Sequence, residues 1–356
     1  MYKFEKISFS SGTEPFLYES DFQLEEGSFN VILGPTMSGK TTLLRLIAGL
    51  ERPTKGKITH DGRDITSHNA RKRSISFVYQ FFVNYPNMTV AKNIASPMRA
   101  EGLPKSKIDS EVEKIANLLR LTPYLNRYPA ELSGGQQQRV AIGRALAKKS
   151  EIILLDEPFV NLDYKLREEL RDELPKFFAG QSRIIVYTTT EPNEALLLPG
   201  TLFTMDCGKI TAYGKTMEMF RRPPNLLTAS IFSYPPVNTI RTRFEGGEFR
   251  GEGGFSYKPA GKEFKDSDYT LAVRPFCLKT GSGGQGKDIE LDARVTFTEL
   301  AGAESYTHVK FGEHKWIMHE HKLVNYEIAQ QIKVFINPAD VMIFDNAGNN
   351  LGIAHG

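Results

Sequence analysis

Few folds can accommodate the stretch Gly34-Pro35-Thr36-Met37-Ser38-Gly39-Lys40-Thr41-Thr42. It matches G-x-x-x-x-G-K-[ST]. An apolar strand, Phe29 to Leu33, runs into its first glycine, and an apolar helix, Thr42 to Ala48, runs out. In that order the glycines let consecutive backbone N–H groups turn inward around a polyphosphate, and the helix N-terminus adds partial positive charge. Lys40 then reaches the terminal phosphates, and the Thr41 hydroxyl is placed to bind Mg²⁺. The competing reading is an ordinary glycine turn before a helix. Motifs further along the chain weigh against it.

Before the loop, Phe4, Ile7 and Phe9, then Phe22 and Leu24, read as strands, and Glu26-Gly27 reads as a turn. After it, Gly49 and Pro53 stop the helix, and short strands follow at Lys57–His60 and Ser76–Tyr79, with Gln80 at the end of the second. From about 81 to 135 the texture is helical. Ile108, Val112, Ile115 and Leu119 recur at helical spacing, as a core-facing stripe does.

Leu132-Ser133-Gly134-Gly135-Gln136 then opens the apolar helix that reaches Ala147. Ser133 serves as a helix cap on the structural reading. On the functional reading the glycines and the serine hydroxyl form a second anion site. Glu151 to Glu157 is a continuous apolar run ending in two carboxylates, as expected of a central parallel strand with acids at its carboxyl end, where open sheets bind ligands. There Asp156 would hold Mg²⁺ through water, and Glu157 would polarise an attacking water. A charged helix to about Phe178 follows the Asn161-Leu162-Asp163 turn, and the next strand ends in Thr188-Thr189-Thr190.

Arg221-Arg222-Pro223-Pro224 and Tyr234-Pro235-Pro236 punctuate the chain, and beyond them the apolar period becomes two. Leu291, Ala293, Val295 and Phe297 alternate, as do Ile332, Val334 and Ile336, then Val341 and Ile343, with glycine turns at 246–254 and 281–286. The expected organisation is an α/β domain over 1–234 and an all-β domain, a small barrel, over 235–356. His314, His319 and His321 have no metal-ligand spacing of a known type and are read as strand residues.

Composition bears on the partners. The chain has 356 residues, long enough for two domains, and its net charge of +3 gives no electrostatic footprint for nucleic acid. Cys207 and Cys277, the two cysteines, fit a reducing compartment without a disulfide framework. The N-terminus has no apolar signal segment, and no apolar run approaches a membrane span, so passage through a membrane would fall to other chains.

The ordered set of phosphate loop, Gln80, Leu132–Gln136 and the Asp156-Glu157 strand resembles the nucleotide-binding subunit of an ABC transporter. The β-rich tail, with Ala272-Val273-Arg274-Pro275 and Val341-Met342-Ile343-Phe344-Asp345, is similar to the oligonucleotide-fold-like (TOBE-type) domain of the carbohydrate-importer branch, which includes the maltose and glycerol-3-phosphate ATPases. Asn84-Tyr85-Pro86, Asn93 to Arg99, Leu162 to Leu170 and Tyr187 to Pro192 resemble one of the two ATPase subunits of bacterial glycerol importers. That resemblance implies ATP and Mg²⁺ as ligands and a peripheral position on the cytoplasmic face of the plasma membrane. It implies as partners a second ATPase subunit, identical or different, two permease subunits and a periplasmic solute-binding protein. By the same analogy two ATPase domains pair head to tail, each nucleotide lying between one chain's phosphate loop and the other's Ser133-type segment. Gln80 would sense Mg²⁺ and the γ-phosphate, and Phe81, Phe82 and Tyr85 would lie by a groove receiving a permease helix.

The chain departs from the family pattern at Thr190, where most such ATPases carry a histidine that contacts the γ-phosphate. No histidine lies between His68 and His308. Threonine is too short and cannot carry the charge, and losing such a contact lowers turnover on the order of 10²-fold. Met37 stands where the branch usually has glycine, and Phe9 and Phe16 are both candidates for stacking on adenine. The reading that follows is an asymmetric pair, with this chain's own site slow and its Ser133 segment serving the partner. Alternatives are an importer of another polyol, sugar or glycerol phosphate, a nucleotide-binding regulatory subunit with little hydrolysis, and a soluble ATPase acting on DNA or ribosomes.

Overall fold

The computed structural model describes residues 1–81, 83–259, 263–281 and 288–353. Contacts divide the chain into two compact units, Met1–Thr216 and Met217–Gly356.

The first unit begins with antiparallel strands β1 (Tyr2–Ser11) and β2 (Glu14–Leu24), followed by β3 (Phe29–Leu33), helix α1 (Lys40–Ala48), β4 (Lys55–His60) and β5 (Arg63–Asp64). Then come β6 (Ile75–Val78), helices α2 (Val90–Ala100), α3 (Lys105–Leu118) and α4 (Gly134–Ala147), β7 (Ile152–Asp156) and α5 (Tyr164–Phe178). Strand β8 (Ile184–Thr189), helix α6 (Pro192–Leu197) and strands β9 (Thr201–Asp206) and β10 (Lys209–Lys215) complete it.

A four-stranded antiparallel sheet has the order β2-β1-β4-β5, and a six-stranded one has the order β10-β9-β3-β8-β7-β6. In the second sheet β9, β3, β8, β7 and β6 run parallel, with β10 antiparallel at the edge. Helix α1 is apolar on nearly every side because it is packed between layers. Leu43, Leu44, Leu46 and Ile47 share one core with Phe4, Ile7 and Ile58 of the first sheet and Ile32, Leu154 and Val186 of the second. The stripe expected in α3 is buried at Ile108, Val112 and Ile115, with Leu119 just past its end.

The helix Thr216–Arg221 (α7) spans the division. Helix α8 (Leu226–Ile231) belongs to the second unit, where Leu226 and Ala229 pack with Val237, Ala272, Met342 and Phe344. Leu226 N–H also donates to Gly348 O at 2.9 Å, and Asn350 N–H to Pro224 O at 2.9 Å. Contacts therefore part at 216/217, upstream of the expected 234/235, because the proline-marked stretch is tied into the later unit.

The strands of the second unit are β11 (Asn238–Glu245), β12 (Glu248–Gly251), β13 (Ser256–Tyr257), β14 (Ser267–Val273), β15 (Leu278–Lys279), β16 (Ile289–Ala301) and β17 (Glu304–Phe311). They continue with β18 (His314–Glu320), β19 (Gln331–Ile336), β20 (Met342–Phe344) and β21 (Asn350–Ile353). They form sheets ordered β13-β12-β11-β14-β20-β21 and β15-β19-β16-β17-β18. Both sheets contribute to one core around Phe244, Phe249, Leu291, Val295, Trp316 and Ile343. The alternation of β16 holds through Val295 and then fails: Phe297 is 52% exposed. A register shift between Val295 and Phe297 inserts one residue and turns the following side chains over. Most of the glycine turn expected at 281–286 lies outside the described residues.

Helix α1 is fixed at its far end by Arg73, which is buried. Its guanidinium donates to Leu46 O (2.9 Å), Ile47 O (2.7 Å), Ile65 O (3.2 Å) and His68 O (3.1 Å). Gly49 ends the helix at φ 71°, and a Cβ there would stand 2.7 Å from Arg73 Nε. We expect Arg73→Ala, which orphans these acceptors, to destabilise the first unit by about 3 kcal/mol. An unchanged melting temperature would show that the helix end is held by other means.

Candidate nucleotide site

Because β3, β8, β7 and β6 are parallel neighbours, their carboxyl ends lie along one edge of the sheet. Residues 34–39 leave β3 there, Asp156 ends β7, Thr189 ends β8, and Gln80 follows β6. Chain topology thus gathers four distant sequence motifs.

The loop 34–39 is held by close backbone approaches. Gly34 N–H donates to Thr189 O at 3.3 Å, and a Cβ on Gly34 would meet Met205 O at 2.3 Å. Gly39 has φ 99°, and its added Cβ would lie 3.2 Å from Phe16 O. Met37 has φ 67° and is 94% exposed. Its backbone holds the conformation that glycine adopts freely, at a cost of about 1 kcal/mol. Only the backbone matters at that point, which accounts for a methionine being accommodated.

Lys40 is buried, and its ammonium donates to Gly34 O (2.8 Å) and Pro35 O (2.9 Å) and lies 3.4 Å from Glu157 Oε1. Burial lowers its pKa, and the Glu157 carboxylate opposes that shift. Thr41 Oγ1 donates to Asp156 Oδ2 at 2.8 Å, and Thr188 Oγ1 donates to Asp156 Oδ1 at 2.9 Å. The strand ends at Asp156. Glu157 lies just outside it at φ 46°, with its N–H donating to Thr188 Oγ1 at 2.9 Å. Gln80 Nε2 reaches Glu157 Oε2 at 3.4 Å. Lys40, Thr41, Asp156, Glu157 and Gln80 are therefore joined in one polar network, with Thr188 as a member that sequence reading did not single out. Its signal was its place opposite Asp156 on the neighbouring parallel strand.

Thr190 follows β8, half-buried, and none of these contacts reaches it. The preceding Thr189 hydroxyl bonds Glu194, which also accepts from Tyr187 OH at 2.8 Å. Of the two aromatic candidates, Phe16 is 41% exposed with its carbonyl against Gly39, whereas Phe9 packs on the core.

The Leu132–Gln136 segment stands apart. Among the described residues no hydrogen bond or ion pair joins it to 34–42. Ser133 caps α4 reciprocally with Gln136: Gln136 N–H donates to Ser133 Oγ (3.4 Å), and Ser133 N–H donates to Gln136 Oε1 (3.0 Å). The helix starts at Gly134, so the glycines form its first turn and Ser133 and Gly134 are exposed. A Cβ on Gly135 would meet Leu162 Cδ2 at 3.0 Å.

Beside α4 a groove is lined by Phe77, Tyr79, Val83, Tyr85, Pro97 and Arg144. The Arg144 guanidinium lies 4.1 Å over the Tyr85 ring. Phe81 is 85% exposed; Phe82, expected beside this groove, lies outside the described residues. No helix among the described residues is long and apolar enough to cross a membrane.

The residues fit a magnesium-bound polyphosphate. The loop admits no side chain at Gly34, and Ser38 Oγ is buried there without a hydrogen-bond partner. A cation, a hydroxyl and two carboxylates stand in donor range of one another.

Burial raises the Asp156 carboxyl above the usual aspartate pKa, against the hydrogen bonds from Thr41 and Thr188 and the charge of Lys40. The folded chain then holds that proton more tightly than the unfolded one. Stability therefore falls as pH rises from about 3.9, and the loss is complete above the folded value. Asp156→Asn removes the ionisation and keeps one threonine hydroxyl as a donor to its amide oxygen, while its NH2 meets the other hydroxyl as a donor. Its melting temperature, measured without nucleotide, should gain on the parent as pH rises above about 4 and stay higher at neutral pH. A gap that does not change with pH would overturn this account.

Comparison with known proteins shows the family. Residues 17–160 match the ABC transporter family. The chain is 34% identical over 312 residues to the sn-glycerol-3-phosphate import ATP-binding protein UgpC of Burkholderia cenocepacia, covering 85% of each. It is 35% identical to the UgpC protein of Escherichia coli, covering 82% of this chain and 83% of that one. To the xylose/arabinose import ATP-binding protein XacK of Haloferax volcanii it is 35% identical, over 82% of this chain and 77% of that one. Among solved structures it is similar to the dimeric bacterial ABC transporter cassette MJ0796, with a TM-score of 0.55 and 29% identity over 61% of this chain and 99% of the cassette. A post-hydrolysis state of that cassette bound to ADP and Pi gives 0.54. With sequence motifs, fold and relatives in agreement, the chain belongs to the ABC transporter family, among the ATP-binding proteins of its import systems.

Proposed function

We propose that this chain is one of two ATP-binding subunits that power uptake of glycerol, or a related polyol or sugar, through permeases it does not contain. The convergence of Lys40, Thr41, Asp156, Glu157 and Gln80 on one sheet edge carries the proposal. ATP would be bound by the backbone of Gly34, Pro35, Thr36, Met37, Ser38 and Gly39, by Lys40, and by Thr41 and Thr42. Lys40 would exchange its two carbonyl partners for phosphate oxygens. Thr41, Asp156 and Gln80 would hold Mg²⁺, which supplies positive charge to the β- and γ-phosphate oxygens. Glu157 would orient the attacking water and accept its proton. Leu132, Ser133, Gly134, Gly135 and Gln136 would close over the nucleotide of a second ATPase subunit, because Ser133 and Gly134 are exposed and, among the described residues, make no hydrogen bond to this chain's own loop.

In this reading the helices between β6 and β7 dock on the permeases through the groove beside Tyr85 and Arg144. The protein would sit peripherally on the cytoplasmic face, and a periplasmic binding protein would deliver the solute. Support for glycerol comes from the segments around Tyr85, Asn93 and Leu162 and from Thr190, while the relatives' names point to glycerol 3-phosphate and to pentoses. Reconstituted with its permeases and binding protein in vesicles, the complex should accumulate glycerol in an ATP-dependent manner. Uptake of glycerol 3-phosphate or a pentose instead would replace glycerol as the substrate.

Thr190 supports an asymmetric pair in which this chain's loop turns over slowly. In the purified two-subunit complex, Glu157→Gln should leave most turnover intact. The same change in the partner should lower it on the order of 10²-fold, and Thr190→His should raise the rate. If Glu157→Gln abolished turnover and the partner's change did little, the assignment of slow and fast sites would be reversed.

A further inference from the structure

The hairpin of β17 and β18 in the second unit pairs Ser305 with Glu320 and Tyr306 with His319. One step further along the ladder, Glu304 stands opposite His321. Alternation then places Glu304, Tyr306, His319 and His321 on one face of the hairpin. The Glu304 carboxylate lies between the two rings. Its Oε2 is 3.0 Å from His319 Nε2, and its Oε1 is 3.0 Å from His321 Nδ1. One donor atom from each residue falls within 4.8 Å of the others.

We propose that Glu304, His319 and His321 form a site for a divalent transition-metal ion, zinc by the chemistry of its donors. Two imidazole nitrogens and a carboxylate oxygen are a familiar zinc set, and they leave a fourth position for water. Metal–ligand bonds of about 2.0–2.1 Å put tetrahedral donors about 3.3 Å apart. One donor atom from each of the three residues lies within 4.8 Å of the others, so small side-chain rotations bring them to that spacing. The His319 nitrogen is buried. Although it lies beside Oε2, it makes no hydrogen bond of proper geometry, so in the tautomer protonated at Nδ1 it can turn a lone pair to a metal.

Tyr306 supports the arrangement from outside. Its hydroxyl donates to Glu304 Oε2 at 2.9 Å, and its ring stacks on His319 at 4.6 Å between centroids and 13° between planes. One side chain thereby orients two ligands, as outer residues of metal sites do. His314, on the same strand, lies 3.7 Å from Glu252 and takes no part. Side-chain exposure of 72% at His321 leaves an approach from solvent, while His319 at 11% anchors the inner side.

The test is zinc titration of the metal-stripped full chain by calorimetry, with cobalt(II) absorption as a second readout of ligand geometry. One zinc should bind per chain. His321→Ala, at an exposed position that folding does not depend on, and Glu304→Gln should each weaken binding about tenfold or more, and Tyr306→Phe about tenfold. His314→Ala should leave binding unchanged, and visible cobalt bands of a tetrahedral centre should vanish in His321→Ala. If the parent binds no zinc, or if His321→Ala and Glu304→Gln bind it as the parent does, the site does not exist, and Glu304 only hydrogen-bonds His321 while lying beside His319.

Discussion

A buried lysine sets the terms for the first unit. Taking an ammonium out of water costs several kcal/mol unless its hydrogens and charge are answered. Lys40 is answered by two loop carbonyls and by Glu157. Those partners come from the loop that leaves β3 and from the residue after β7, so the charge is satisfied only if the two strands end in register. Pairing of β3 with β8 and of β8 with β7, packed through buried aliphatic side chains, secures that register. The sheet core and the polar edge are thus mutually dependent. Packing brings the charges together, and the charges tolerate burial because packing has done so.

Backbone conformation carries the second part of the design. Glu157 holds a positive φ that a non-glycine residue avoids, and Thr188 accepts its N–H while binding Asp156. One threonine hydroxyl therefore fixes both acids, receiving from the backbone of one and donating to the side chain of the other. The turn leaves Glu157 between Lys40 and Gln80, in the same polar network as Asp156. A continued strand would send Glu157 to the opposite side of the sheet from Asp156.

Much of this could be read from the chain itself, because motif spacing and apolar period record local constraints. The phosphate loop, the buried strand before Asp156 and the Ser133 cap each follow from residues close in sequence. What escaped depends on neighbours far away in sequence. Thr188 matters because β8 lies beside β7. Phe297 is exposed because a bulge interrupts a period that the residues alone continue without a break. The proline-rich stretch looked like a boundary, yet 224 and 226 hydrogen-bond to 348 and 350, and no local signal announces that. Glu304 has no metal motif around it, and only the hairpin register sets it against His319 and His321.

In the proposed asymmetric pair, the separation of the phosphate loop from the Ser133 segment bears on how a site weakened at Thr190 could persist. Ser133 is held by its own helix cap, and Gly135 packs against Asn161 and Leu162. Neither shares a hydrogen bond with the end of β8, where Thr190 stands. Among the described residues Thr190 and the Ser133 segment share no hydrogen bond, and effects at sites without shared partners add nearly independently. In a head-to-tail pair each chain contributes its loop to one nucleotide and its Ser133 segment to the other. Loss at 190 then falls on one pocket alone. The other pocket would keep its own groups, with the Ser133 segment supplied by this chain. On that footing Thr190 would slow this chain's own loop while leaving its service to the partner intact, as an asymmetric pair requires.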